Sequence, residues 1–368
     1  MLDYIRIACA VPAVKVGDVT KNTEDICTWM AKADAQNADI VVFPELAMTG
    51  YTCGDLFYQD TLHNAVEKGL TRILEHSRNY PQLTAVVGLP VRMGMQLANC
   101  AAVIADGCLR GLVSKTYLPD YGGFNESRWF SAVEEGTYVT LAGQEVSLGT
   151  DLLYRVGETT VGIEICEDLF APIAPSSFHA LNGAEVILNL AASPEQTGKK
   201  RSRSELVKAH SATGKCVYAY VSAGCTESTS DLVFSGHSVI AENGVILAEN
   251  AEIVASDYLM VQDCDLGRIR AERRKNATFR NCAQRYAGGM LTTLGGCDTL
   301  RSDGSLYPLQ KLPFVPSTKA QRIFAQLVAA AERLLKTAKR MEGRSNKLLQ
   351  DYTKRIESIN EEAKSINE

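Results

Sequence analysis

The chain has 368 residues, 46% apolar and 22% charged, with a formal net charge of -5. A chain of this size and composition buries a core without disulfide or metal staples, which excludes a mainly disordered or fibrous protein. The acidic balance argues against nucleic acid as the main partner, and no apolar run approaches the roughly 18 residues that would span a bilayer.

In chain order, apolar β-branched runs alternate with amphipathic stretches. The N-terminus lacks a basic n-region, so its apolar stretch reads as a first strand, IRIACA (5–10), and not as a signal peptide. Further strands are predicted at 39–44, 84–90, 99–105, 112–115, 159–166, 185–190, 216–222, 237–241, 245–249 and 258–264. Helices are predicted near 18–36, 56–79, 172–182 and 202–213. The runs at 39–44, 84–90, 159–166, 185–190 and 216–222 are apolar nearly throughout, as strands covered on both faces are. Asp106-Gly107 and Asn243-Gly244 sit between strand-like runs and mark antiparallel hairpins. The class is therefore α/β with a mixed sheet. Residues 265–316 read as less regular, and their arginine-rich stretch DLGRIRAERRKNATFRNCAQRYAGG as a solvated or oligomer-contact segment.

LPFVPS (312–317) carries two prolines and predicts a boundary, giving a body at 1–316 and a tail at 317–368. Residues 324–368 hold 16 charged residues in 45, with no Cys or Pro and one Gly. Leu349, Tyr352, Ile356, Ile359, Ala363 and Ile366 follow heptad spacing, and Phe324, Val328, Ala331, Leu335 and Ala338 keep the same frame until it fails at Glu342 and Ser345. A surface helix packed on the body and a self-associating coil both fit this pattern. The eleven cysteines are odd in number, scattered and without a C-x-x-C pair, which reads as buried apolar residues in a reducing cytoplasm.

Three strand ends carry chemistry. Glu45 follows the buried run DIVVFP, Lys115 ends LVSK, and Cys166 ends VGIEIC before the polar pair Glu167 and Asp168. The carboxyl ends of strands are where open α/β sheets place their sites. A carboxylate, a cation and a thiol from different strand ends supply the parts for acyl transfer from an amide.

FPELAMTGY, LVSKTYLP and GIEICEDLF together resemble the Glu-Lys-Cys motifs of the nitrilase superfamily, the carbon–nitrogen hydrolases. PELAMTGYTCGDLF, KTYLPDYGGFNESRWF, EICEDLF and DLVFSGHS are more narrowly similar to the N-terminal glutaminase domain of glutamine-dependent NAD+ synthetases, over about residues 1–320. The resemblance implies a four-layer αββα sandwich, followed here by a long helical tail. It implies that Cys166 attacks the glutamine carboxamide, that Glu45 is the general base, and that Lys115, helped by the backbone N–H of Glu167, stabilises the oxyanion. Glu126 would orient the lysine. Tyr51, Tyr121 and Ser193 would hold the substrate, and Lys199, opening the run Lys199-Lys200-Arg201, would stand at the pocket rim or a helix start. Alternatives left open are another carbon–nitrogen hydrolase, an amidase or nitrilase, and an assembly scaffold with vestigial catalysis.

The resemblance implies no cofactor for this half. The full family uses ATP and magnesium in a second, adenylating domain with an SGGxDS phosphate loop, and AGGM and LGGC lack its serine and aspartate. No such domain is expected in these residues. The loop SAGCTESTSDLVF departs from the glycine-rich QDELVF stretch usual in the family. Expected partners are glutamine and further copies of the chain through the sandwich, with tail-mediated self-association open, and neither nucleic acid nor membrane.

Overall fold

In a computed structural model of the chain, residues 3–228, 232–250, 256–286 and 292–295 are described, with isolated helical positions between 335 and 357. Seven strands run in succession through the first part: β1 (Tyr4–Val11), β2 (Ile40–Val42), β3 (Thr84–Met93), β4 (Gln96–Ala105), β5 (Cys108–Ser114), β6 (Thr137–Leu141) and β7 (Gln144–Gly149). Six more follow: β8 (Leu152–Val156), β9 (Thr159–Ile165), β10 (Val186–Ala191), β11 (Val217–Ser222), β12 (Ser238–Glu242) and β13 (Val245–Glu249). β14 (Tyr258–Asp265) returns to pair antiparallel with β1, and β15 (Thr292–Gly295) pairs parallel with β8. The result is one sheet in the order β14-β1-β2-β3-β4-β5-β7-β6 and a second in the order β13-β12-β11-β10-β9-β8-β15.

Period-2 alternation explains how the layers stack. Ile5, Ile7, Cys9 and Val11 of β1 share a core with Val186 and Leu188 of β10, between the sheets. The intervening Ala8 and Ala10 instead pack with Ile26 and Met30 of α1 (Val19–Ala35) and Leu70 of α2 (Asp60–Ser77). α3 (Pro175–Leu181) and α4 (Lys199–Gly214) cover the outer face of the second sheet. These layers are the αββα sandwich that the resemblance implies. Asp106-Gly107 and Asn243-Gly244 join β4 to β5 and β12 to β13 as predicted, all four residues having positive φ.

Three readings change. The helix predicted over 56–79 is two pieces, the end of a 3-10 segment at Tyr51–Tyr58 and α2, because Gln59 between them is extended, at φ -90° and ψ 121°. The hairpin β6–β7 was not predicted; its strands are largely half-buried or exposed, so they carry no apolar run. The arginine-rich stretch is not irregular: it forms α5 (Leu266–Lys275) and α6 (Ala277–Tyr286). Nor are its arginines simply solvated. Arg270 pairs with Glu185 at 2.6 Å and Asp3 at 2.8 Å, and Arg273 donates to the carbonyl of Lys215 at 2.8 Å and to those of Gly183, Ala184 and Gly214.

The boundary at 316/317 and the tail heptads lie outside the described residues, apart from Leu335, which is exposed on a helical turn. Of the cysteines, Cys297 also lies outside them; the other ten are free, seven buried, Cys225 and Cys282 half-buried and Cys108 exposed. No helix among the described residues is long and apolar enough to cross a membrane.

Candidate active site

β2 ends at Val42, and the chain turns immediately, with Leu46 at φ 51°. The turn lies directly on β3. A Cβ at Gly88 would stand 2.3 Å from the Leu46 nitrogen and 2.5 Å from the Pro44 carbonyl oxygen, so only glycine lets the two backbones meet. Met48 then donates its N–H to the Gly88 carbonyl at 3.1 Å. This close approach sinks the Glu45 carboxylate into the protein, where it is buried.

Lys115 is the first residue beyond β5, not its last, and its N–H bonds the Asn99 carbonyl on β4 at 2.9 Å. Its ammonium reaches Glu45 Oε1 at 2.7 Å and Glu126 Oε1 at 2.6 Å, with all three side chains buried. Asn99 Nδ2 donates to the same Glu45 oxygen at 2.7 Å, and the Tyr51 hydroxyl donates to Glu126 Oε1 at 2.7 Å.

Cys166 follows the last residue of β9 and opens a 3-10 turn, Cys166–Phe170, at φ 46°. A non-glycine residue in the left-handed region costs of order 1–3 kcal/mol unless its surroundings hold it there. Two buried polar side chains do so. Asn189 of β10 accepts the Cys166 N–H at 3.2 Å. Asp168 accepts the N–H groups of Ile165 and Tyr117, each at 2.9 Å, and of Thr116 at 3.4 Å, tying the cysteine turn to the lysine's segment. Just past β10, Ala192 donates its N–H to Glu45 Oε2 at 2.8 Å.

Burial pushes the Cys166 thiol well above its ordinary value, and the Glu45 carboxylate adds to the push against the opposing pull of Lys115. The resting sulfur is therefore a thiol and not a preformed thiolate, and it must surrender its proton to a base as it attacks. Burial works against the Lys115 ammonium too, but Glu126 and Glu45 outweigh it and hold the lysine charged. Two carboxylates share that one cation. Burial raises Glu126 to about 7, against the lowering pull of Lys115. Burial, then the charge of Glu164, raises Asp168 to about 8.

The substrate residues expected from the sequence fall into two groups. Tyr51 belongs to the charged network through Glu126. Tyr121 lies on the exposed rim, where its hydroxyl donates to Glu167 Oε1 at 2.7 Å. Lys199 is the first residue of α4; its ammonium stands 5.5 Å from the centre of the Phe124 ring and, partly desolvated, is lowered from its usual value. Ser193 is buried just past β10, its N–H on Ser222 Oγ at 3.1 Å and its carbonyl accepting from the buried Arg203 at 3.3 Å. Asn99, Asn189 and Gly88 were missed as site residues. The one signal for Asn189 was a lone polar residue inside the apolar run VILNL.

The site therefore holds a thiol, a carboxylate able to take its proton and an ammonium able to face a developing negative charge, all three on buried side chains. Those are the parts of acyl transfer through a covalent sulfur intermediate. Residues 6–274 match the carbon-nitrogen hydrolase family. The glutamine-dependent NAD(+) synthetase of Mycobacterium tuberculosis is 34% identical over 323 residues, which cover 85% of this chain and 47% of that protein. The chain thus spans about half the length of such relatives. The crystal structure of a glutamine-dependent NAD(+) synthetase from Cytophaga hutchinsonii superposes with a TM-score of 0.63 at 29% identity, over 71% of this chain and 43% of the other. A nitrilase-superfamily member from Saccharomyces cerevisiae shares the fold at 18% identity, with a TM-score of 0.58 over 75% of this chain and 95% of its own.

Proposed function

The chain belongs to the carbon–nitrogen hydrolase family, and on that premise we propose that it hydrolyses the side-chain amide of glutamine to glutamate and ammonia. The observation that carries the reading is the Lys115 ammonium bridging Glu45 and Glu126, at 2.7 Å and 2.6 Å, beside the Cys166 thiol. Cys166 attacks the amide carbon as Glu45 takes its proton. Lys115 and the N–H of Glu167 stabilise the oxyanion. The same proton returns to the departing nitrogen, so ammonia leaves and a thioester remains. Glu45 then draws a proton from water, the hydroxide adds to the thioester, and glutamate is released with the thiol restored.

Support for glutamine comes from the similarity to glutamine-dependent synthetases and from the charges at the rim. An amino-acid substrate presents an ammonium and a carboxylate at the end remote from its amide. Glu167, held by Tyr121, and Lys199, opposed in sign, fit such a pair. Ser193 and Tyr51 would close the pocket. We assign this chemistry to a hydrolase unit over residues 1–316, followed by a linker and helical tail over 317–368. In this reading the chain is a cytoplasmic homo-oligomer assembled through the sandwich, and it supplies the ammonia for NAD+ formation.

The test incubates the purified chain with glutamine, asparagine, simple aliphatic amides and nitriles at equal enzyme concentration, and traps Cys166 with a glutamine analogue for mass spectrometry. Equimolar glutamate and ammonia from glutamine, with an adduct on Cys166, is the expected result. Faster turnover of another amide or nitrile would overturn the substrate, and an adduct elsewhere would overturn the nucleophile.

A further inference from the structure

We propose that Glu227 is a positioning residue for this hydrolysis, acting through Tyr51 on the Glu126–Lys115 pair. The inference rests on the reading of Cys166 as nucleophile. Glu227 lies in the loop after β11, and it is buried. Its Oε1 accepts the Thr52 N–H at 3.0 Å, and the Thr52 hydroxyl donates back to the Glu227 carbonyl at 2.8 Å. The two segments are locked together at backbone level on both sides.

The neighbouring residues show why this clamp reaches the chemistry. Gly50, at φ 84°, lies against the same carboxylate: a Cβ there would stand 3.1 Å from Glu227 Oε1. Between Gly50 and Thr52, the Tyr51 ring meets Phe234 edge-on at 6.3 Å. With its backbone clamped and its ring wedged, the Tyr51 phenol has one direction left, towards Glu126 Oε1 at 2.7 Å. That oxygen also accepts the Lys115 ammonium at 2.6 Å. The loop after β11 thus sets how Glu126 divides its lone pairs, and through it how Lys115 is held against Glu45.

The second carboxyl oxygen of Glu227, Oε2, is buried with no hydrogen-bond partner among the described residues. An unpaired buried oxygen is costly, whereas the other oxygen is needed as the acceptor of the Thr52 N–H. Burial raises the Glu227 carboxyl to about 8, so it is mostly neutral at pH 7 and glutamine is its near mimic.

The experiment compares wild type, Glu227→Ala, Glu227→Gln, Tyr51→Phe and the double variant Glu227→Ala/Tyr51→Phe. The readouts are the rate of Cys166 alkylation by iodoacetamide, glutamine kcat and KM, and thermal unfolding. Glu227→Ala is expected to slow both alkylation and kcat about tenfold, the scale of one lost buried hydrogen bond, with a smaller change in KM. Glu227→Gln, which keeps the acceptor, recovers most of the loss. The double variant is no slower than the slower single one, because both changes break one chain of contacts. Should Glu227→Ala fail to fold, Glu227→Asp withdraws the carboxyl by one methylene and is expected to slow both rates likewise. A reactive wild type matched by an equally reactive Glu227→Ala overturns this inference alone, as do losses that simply multiply in the double variant. A wild type that neither alkylates at Cys166 nor turns over glutamine overturns the hydrolase reading and this inference with it.

Discussion

Ala192 holds Glu45 from the opposite sheet: its backbone N–H, just past β10, meets Glu45 Oε2 at 2.8 Å, while Lys115 and Asn99 from the first sheet hold Oε1. The carboxylate is thus a pin between the two sheets. Its orientation depends on how they stack, and the proposed catalytic geometry is a property of the whole sandwich core.

Removing the sulfur tests the nucleophile. Cys166→Ala is expected to lower turnover about 10⁴-fold or more with the fold intact, the scale seen when a covalent nucleophile is lost. Cys53 and Cys225, also in motif-like segments, should tolerate alanine. Near-normal ammonia release from a folded Cys166→Ala would sink the assignment.

Glu45→Gln keeps shape and removes the base, so acylation and deacylation both slow, by some 10²–10⁴-fold. Lys115→Ala should lose about 10²–10³-fold in kcat. It also strips the shared cation from two buried carboxylates, a change worth about 3–5 kcal/mol of stability. Rapid-quench measurement of both steps, normalised to folded protein, separates the roles. Glu45→Gln at wild-type speed would leave Glu45 a structural carboxylate.

Glu126 gives a pH signature of defined sign. Its carboxyl stands near 7 in the fold and about 4.3 unfolded. A raised value means that its contribution to stability is complete below about 4 and is lost as the pH rises through 7. Glu126→Gln lacks this titration. The melting temperature of the variant minus that of wild type should therefore grow between pH 5 and pH 8, while activity falls because Lys115 is held less firmly. A difference that shrinks over that range would contradict the assignment.

Gly88→Ala places a methyl against the Pro44–Leu46 backbone. Overpacking of this kind costs about 1–3 kcal/mol, and a 1 Å displacement of Glu45 would cost about 10²-fold in rate. The expected variant melts somewhat earlier and is catalytically crippled. Wild-type kcat in Gly88→Ala would show that the turn tolerates displacement.

The assembly prediction concerns the tail. A chain lacking residues 324–368 should remain at least a dimer by light scattering. A strictly monomeric truncation would transfer assembly to the tail.

Glu45, Lys115 and Cys166 were legible because each closes an apolar run, and a polar group at the end of a buried strand has few structural reasons to be there. The buried strands and the two Asx-Gly hairpins were legible for similar local reasons. β6 and β7 were not, since half-exposed strands carry no run to notice. The supports of the site were hidden for another reason: Gly88 matters only because a turn 42 residues earlier lies on it, and Asp168 because its acceptors face amides some 50 residues away. The arginines of α5 misled in the same way. Composition suggested solvent, whereas Arg270 and Arg273 find carboxylates and carbonyls that only the folded chain brings near.

The shared lysine has a consequence for the end of the cycle. An amide enters without charge, but hydrolysis replaces it with a carboxylate, formed beside Glu45 and within the field of Glu126. One buried ammonium then faces three carboxyl groups. Like charges at such range repel strongly where water cannot screen them. On the proposed reaction the acid is repelled as it forms, so glutamate should be a poor inhibitor, and a neutral isostere of the amide should bind far better than the acid.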